Sequence, residues 1–290
     1  MPSGNEARFT GDGDRFDANW RETEEATYMH WTRGDVQNQI QLAFRNHWLT
    51  FSKLLDRQDN PGRILEVGCG RGSLSAYFAD NGWDCTLIDI SPKAIALARA
   101  AFGSNGLKAQ FHVEDCLDLS FGDGAFDAVF SIGLLEHFED VGPAIAEQAR
   151  ILAPGGLFIG YVVPHLPENV QKEYAWINEV IKGLMPADTE AAQSQKTEIF
   201  RSDTLSPRYI QAMQDAGLVE NQACGTYPLP MISHSIDFPF SLMPKEAELA
   251  LVAHFQNDLA SRAADAPMGN PWLCEEGYGQ AFLVWGRKPG

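Results

Sequence analysis

From Val36 to Leu55 the apolar positions Ile40, Phe44, Trp48, Phe51 and Leu55 recur at spacings of 4, 4, 3 and 4, which predicts one buried face of a helix. Asn60-Pro61-Gly62 closes this arm with a turn. Beyond it, short apolar runs alternate with helical stretches. Arg63–Val67 reads as a strand, Ser73–Asn81 as a helix closed by Gly82, and Asp84–Ile90 as a second strand. Ser91-Pro92 supplies an N-cap followed by proline in the first turn, and Ile95, Ala98 and Phe102 mark that helix's buried side. Ala109–Val113 and Ala125–Ile132 are further strands, and Gly142–Leu152 is a helix ahead of Pro154-Gly155-Gly156. Leu157–Val163 is the fifth strand. Strands joined by helices of this length predict a parallel sheet covered on both faces.

After the fifth strand the rhythm breaks. Pro167–Leu184 reads as helix, and a polar stretch runs to about Lys196. Ser206-Pro207 caps a helix ending at Gly217, ahead of a strand over Leu218–Cys224. A long excursion from about Pro228 to Gly277 holds a helix near Lys245–Ala264, and Gln280–Gly286 is the last strand. The expected layout is one α/β chain in three parts. Residues 1–60 form an N-terminal helical arm, 61–164 a ligand-binding core, and 165–290 the rest of the core with capping inserts at about 165–205 and 228–277. Residues 1–19 are polar and expected to be loose.

Charge narrows the partners. The 290 residues carry 39 acidic against 22 basic side chains, a net charge of −17, which disfavours a nucleic-acid phosphate track or an anionic membrane surface. Five scattered cysteines without a C-x-x-C pair fit a reducing compartment rather than a disulfide framework or a zinc site. Met1–Thr10 has no apolar h-region, so no signal peptide is expected, and no apolar run is long enough to span a bilayer. A cytoplasmic protein is expected.

The chemistry gathers at strand ends. Ile64-Leu65-Glu66-Val67-Gly68-Cys69-Gly70-Arg71-Gly72 is a buried strand ending in an acid, then a glycine turn that lets backbone approach a ligand. The dinucleotide fingerprint would need a third glycine where Ser73 stands. Asp89 ends the second strand, where a carboxylate can accept both hydroxyls of a ribose. Val113-Glu114-Asp115-Cys116 ends the third. Ser131-Ile132 ends the fourth and runs into Gly133-Leu134-Leu135-Glu136-His137.

As an ordered set over about residues 63–163, these motifs resemble the class I S-adenosylmethionine-dependent methyltransferases, especially the small-molecule branch with ubiquinone-type O-methyltransferases. The resemblance implies a Rossmann-like parallel sheet of about seven strands, the last antiparallel. It also implies S-adenosylmethionine as donor and S-adenosylhomocysteine as product. Glu66 would support the glycine turn near the methionine amino group, and Gly68, Cys69 and Gly70 would pass beneath the ligand. Asp89 would hold the ribose, Ile90 would pack on adenine, and Asp115 and Cys116 would read its edge. Ser131 and Ile132 would reach the amino end through backbone carbonyls.

Methyl transfer is in-line displacement helped chiefly by positioning and loss of one proton. His137 is the first candidate for the base, with His30, His165 and His234 behind it. Tyr28 and Trp31 are either core staples of the arm or aromatic contacts to the sulfonium. No metal-ligand spacing is present, so no metal is expected. The acceptor is expected to be a small molecule, methylated on oxygen first and nitrogen second, with S- and C-methylation on the same scaffold left open. A non-catalytic S-adenosylmethionine-binding relic and a nicotinamide-dependent oxidoreductase are the rival readings. The arm helix is able to pair subunits in a homodimer.

Overall fold

In the computed structural model, residues 30–56, 60–183, 199–232 and 243–290 are described. The expectations for Tyr28 and His234 lie outside them. The apolar face over 39–55 forms helix α1 (Gln39–Leu55), whose N-cap Asn38 accepts from the Gln41 N–H through its side chain. The alternation that follows gives β1 (Arg63–Val67), α2 (Ser73–Asp80), β2 (Asp84–Asp89), α3 (Pro92–Ser104), β3 (Gln110–Val113) and β4 (Phe126–Ile132). Then come a 3₁₀ turn at Leu135–His137, α4 (Gly142–Ile151) and β5 (Leu152–Val162). The remainder holds α5 (Ala175–Gly183), α6 (Pro207–Asp215), β6 (Val219–Thr226), α7 (Lys245–Arg262), β7 (Leu273–Cys274) and β8 (Ala281–Arg287).

The sheet runs β3-β2-β1-β4-β5-β8-β6-β7. Its first five strands are parallel, and β8 pairs antiparallel with β5 on one side and β6 on the other. The strands are apolar throughout because both faces are covered. Ile64, Phe130 and Ile159 face α1, α2 and α3 through Phe51, Phe78 and Phe102. Leu65, Val129 and Phe158 face α4 and α6 through Ile145, Ala149 and Met213. Each such side chain removed from water contributes roughly 1.5–3 kcal/mol, which fixes the strand tips relative to one another.

A third cluster joins the arm to the second insert. Ile40 and Ala43 of α1 pack with Val252, Phe255 and Leu259 of α7 and with Tyr227, Leu229 and Trp272. Its polar seam is the buried Glu248, which accepts from the Gln39 backbone N–H at 2.8 Å, while Gln39 itself brackets Ile232 through both of its amide atoms. The arm and this insert are one packed unit.

The eight strands among the described residues fit the expected count of about seven, the two-residue β7 adding to β6. Three expectations change. β5 begins at Leu152, not Leu157. Pro154-Gly155-Gly156 is a bulge inside it, since Phe126 sits opposite Leu152 while Ala128 sits opposite Leu157. The helix read from Pro167 starts only with a 3₁₀ turn at Lys172–Tyr174. Ser206 precedes α6 without capping it; its hydroxyl donates to Glu276 at 2.8 Å instead.

Candidate functional site

The carboxyl ends of β1, β2 and β4 lie side by side, so the residues that follow them share one mouth. At β1 the chain turns through Gly68 and Gly72, both with positive φ. A Cβ on Gly68 would lie 3.1 Å from the Leu134 side chain, and one on Gly72 would lie 2.4 Å from Leu87. Only glycine allows this turn to sit so close to its neighbours. The Cys69 N–H donates to the Ile88 carbonyl at 2.9 Å, which ties the turn to β2.

Asp89 completes the tie. Its Oδ2 accepts from the Gly70 N–H and its Oδ1 from the Ser91 N–H, each at 2.9 Å. One carboxylate thus braces the glycine turn and the start of α3, and it does so at the strand tip where a ribose is expected. Ser91 caps α3 through Ala94, as its sequence position predicts. Glu66 is buried, and its Oε2 accepts from the Ser75 N–H in the first turn of α2. Burial pushes its acid up to about 8, with the charge of Asp89 adding to the shift and the Ser75 hydrogen bond opposing it.

Ile90 and Ile132 are half-buried at their strand tips. Ser131 is fully buried between β1 and β5, and its hydroxyl has no hydrogen-bond partner among the described residues. Asp115 is exposed and accepts from the Leu117 N–H in a local turn, beside the half-buried Cys116. Burial raises the thiols of Cys69 and Cys116, so neither is a ready nucleophile.

The arm reaches the same mouth. His30 Nδ1 and Ser73 Oγ are 2.9 Å apart, and the His30 ring stacks on Phe44 at 5.4 Å. Burial and the nearby Arg71 lower the His30 imidazole to about 3. Trp31 is packed into the core edge-on to Tyr77, with the Arg33 guanidinium 5.2 Å from its ring centroid.

His137 is buried, and its Nδ1 lies 2.7 Å from the Phe200 carbonyl, so that nitrogen carries the proton. The carbonyls of Phe200 and Gly133 favour the protonated ring, but burial outweighs them and its pKa falls below the usual imidazole value. The neighbouring Ser202 N–H donates to the Glu136 carbonyl at 2.8 Å. The Leu135–His137 turn is therefore stitched to residues 200–202 of the first insert, and a ring held this way serves the joint. His165 is exposed and meets Ser202 only through its backbone.

Two features are missed by sequence reasoning. Glu136 is wholly buried, and neither of its carboxylate oxygens has a hydrogen-bond partner among the described residues. The N–H groups of Glu136 and Val163 and the charge of Arg201 lie close enough to favour ionisation, yet burial prevails and pushes the acid up to about 7. The second feature is His47, whose Nδ1 accepts from the Trp272 indole N–H at 2.9 Å. Its ring lies 4.4 Å from Tyr161 and 5.9 Å from Tyr227. Burial holds His47 neutral, lowering it to about 3.

These buried groups set a pH dependence for the ligand-free protein. His30 and His47, at about 3 against 6.5 for the free group, destabilise the fold as pH drops below 6.5, because the unfolded chain takes up protons that the fold refuses. Glu66 and Glu136, at about 8 and about 7 against 4.5, do the reverse: their contribution is complete below 4.5 and lost as pH rises through 7 to 8. Between 4.5 and 6.5 the two sets offset each other. Urea midpoints measured across this range should show a plateau there and decline on both sides. A midpoint climbing steadily to pH 8 would contradict these burials.

A parallel sheet with a glycine turn after β1, a turn-bracing acid at β2 and a buried hydroxyl at β4 is the arrangement that the resemblance to class I S-adenosylmethionine-dependent methyltransferases implies. The family described as methyltransferase domain matches residues 65–160 of this chain. Among curated proteins, ajmaline N-methyltransferase of Rauvolfia serpentina is 37% identical over 107 residues, 36% of this chain and 37% of that protein. Chloroplastic tocopherol O-methyltransferase of Arabidopsis thaliana is 34% identical over 147 residues, covering 46% and 42%. Ubiquinone biosynthesis O-methyltransferase of Xanthomonas axonopodis pv. citri is 38% identical over 95 residues, covering 32% and 40%. The chain thus spans about two fifths of the length of these relatives. Among solved structures, Haemonchus contortus phospholethanolamine N-methyltransferase 2, in complex with phosphomonomethylethanolamine and S-adenosylhomocysteine, aligns with a TM-score of 0.53 at 17% identity, over 84% of this chain and 53% of that one. That likeness shows the fold.

The donor of this class is S-adenosylmethionine, and the residues fit it. The Asp89 carboxylate and the buried Ser131 hydroxyl, which has no hydrogen-bond partner among the described residues, supply polar atoms at the tips of the two strands that flank β1, with the half-buried Ile90 beside Asp89. Sequence reading passed over Glu136, which stands inside the quoted motif, because a histidine stands beside it.

Proposed function

We propose that the protein methylates an oxygen or nitrogen of a small-molecule metabolite. When bound, S-adenosylmethionine supplies an electrophilic methyl group. The protein's part is placement and the exclusion of water. Gly68, Cys69 and Gly70 form the floor beneath the donor, Asp89 takes the ribose hydroxyls, and Glu66 lies near the methionine amino group. Ser131 and Ile132 supply the far wall, while Ile90, Asp115 and Cys116 border the base. The arm and the two inserts cover the mouth, in keeping with a division at about residues 60 and 164. The observation that carries this reading is the Asp89 carboxylate bonded to the Gly70 N–H, which couples the ribose acid to the glycine turn.

Among the described residues no helix is long and apolar enough to cross a membrane, and the net charge is −17. Both support a cytoplasmic enzyme whose partner is its acceptor rather than nucleic acid. Calorimetric titration with S-adenosylhomocysteine, followed by donor-driven turnover of a metabolite extract watched for a gain of one methylene, tests the proposal. Absence of binding overturns it. Binding without any methylated product favours a sensor instead.

We assign His137 to positioning. His137→Ala is expected to lower stability by about 0.5–1.5 kcal/mol, the net worth of the lost hydrogen bond to the Phe200 carbonyl. A folded variant that keeps its stability yet loses about 10²-fold in turnover would restore His137 as the base.

A further inference from the structure

We propose that Glu136 is the acceptor-side residue of this site and selects an acceptor bearing a protonated amine. The inference deepens the methyltransferase reading and rests on it. A wholly buried carboxylate whose oxygens have no hydrogen-bond partner among the described residues, with only the charge of Arg201 near it, is costly unless a ligand completes it. Its Oε1 lies 3.6 Å from where a Gly133 side chain would begin, one residue past the Ser131-Ile132 tip of β4. Ile132 pairs with Tyr161 on β5, whose hydroxyl is raised chiefly by burial, with Tyr227 and then the charge of Glu136 adding to the shift. Beyond Tyr161 stand His47, Tyr227 and Trp272, contributed by the arm, the end of β6 and the second insert.

A hydroxyl acceptor would give this carboxylate one hydrogen bond and leave its charge offset by Arg201 alone. An organic ammonium neutralises it and suits a wall of aromatic rings. The pair then has a chemical use. An N–H bond of the ammonium breaks with its electrons staying on nitrogen, and the proton forms an O–H bond on Glu136. A neutral amine with a lone pair and a neutral carboxylic acid result, and the apolar surroundings favour both over the ion pair. The groups facing Glu136 are Tyr161 on β5, Tyr209 on α6, Arg201 of the first insert and the adjacent His137. Both tyrosines are raised, so between about pH 6 and 8 the carboxylate is the group that changes charge.

The test uses the full chain loaded with S-adenosylhomocysteine and two probes of the same shape, phenethylammonium chloride and neutral 2-phenylethanol, in calorimetric titrations. At about pH 8 the ammonium should bind about tenfold tighter or more, and the preference should shrink towards about pH 6 as the carboxylate takes its own proton. Glu136→Gln should erase the preference while S-adenosylhomocysteine binds as before. Equal affinity of the two probes for the wild-type chain, no binding of either, or a preference that Glu136→Gln leaves intact overturns the inference. So does a variant that folds but loses S-adenosylhomocysteine, which would put the carboxylate on the donor's own ammonium. Should the variant fail to fold, the wild-type pH series decides. If the wild-type chain does not bind S-adenosylhomocysteine at all, it is the methyltransferase reading that falls.

Discussion

Asp89→Ala is expected to weaken S-adenosylhomocysteine binding by about 1–3 kcal/mol, roughly five- to 150-fold. Two losses combine. The ribose hydroxyls lose their acceptor, and the Gly70 and Ser91 N–H groups, each 2.9 Å from a carboxylate oxygen, lose theirs. The second loss reaches the ligand indirectly, because the turn beneath it is held by that bond. Asp89→Asn separates the two, since its amide oxygen keeps one N–H satisfied while its NH₂ group opposes the other. The ligand affinity of the alanine variant should fall below that of the asparagine variant. Unchanged affinity in both would reduce Asp89 to a brace.

Trp272→Ala should cost about 3–5 kcal/mol of folding stability, measured by urea denaturation. Trp272 is 1% exposed, stacks on Tyr227 at 4.9 Å, and donates to His47 225 residues away in sequence. Truncation removes the largest fully buried side chain of the cluster that joins arm to insert and leaves His47 Nδ1 without its donor. Trp272→Phe keeps most of the ring and loses only the hydrogen bond, so about 1–2 kcal/mol is expected. A loss under about 1 kcal/mol for the alanine variant would mean that the cluster is not packed as described.

The core strands are legible in the sequence because both sheet faces are covered, which makes each strand a continuous apolar run. The glycine turn and Asp89 are legible because their chemistry depends on backbone freedom and charge at fixed strand ends. Ser91-Pro92 is legible because capping is local. What is not legible depends on distant packing or on very short pairing. β7 has two residues, too few for any period, and β5 hides its first residues behind a Pro-Gly-Gly that reads as a turn but forms a bulge. The partnership of His47 with Trp272 has no local trace. Glu136 and His137 are adjacent, and residue type favours the histidine as base. The structure ties the imidazole to a carbonyl and gives the carboxylate oxygens no hydrogen-bond partner among the described residues.

β8 lies between β5 and β6, although it is the last strand in chain order. Until residues 281–287 dock, β6 and β7 have no edge to join, and Tyr227 and Trp272 cannot be carried to their final places beside His47. The five parallel strands can pair earlier, from contacts closer in sequence. A refolding chain thus pairs its five parallel strands before β8 docks on β5 and brings the aromatic cluster around His47 together.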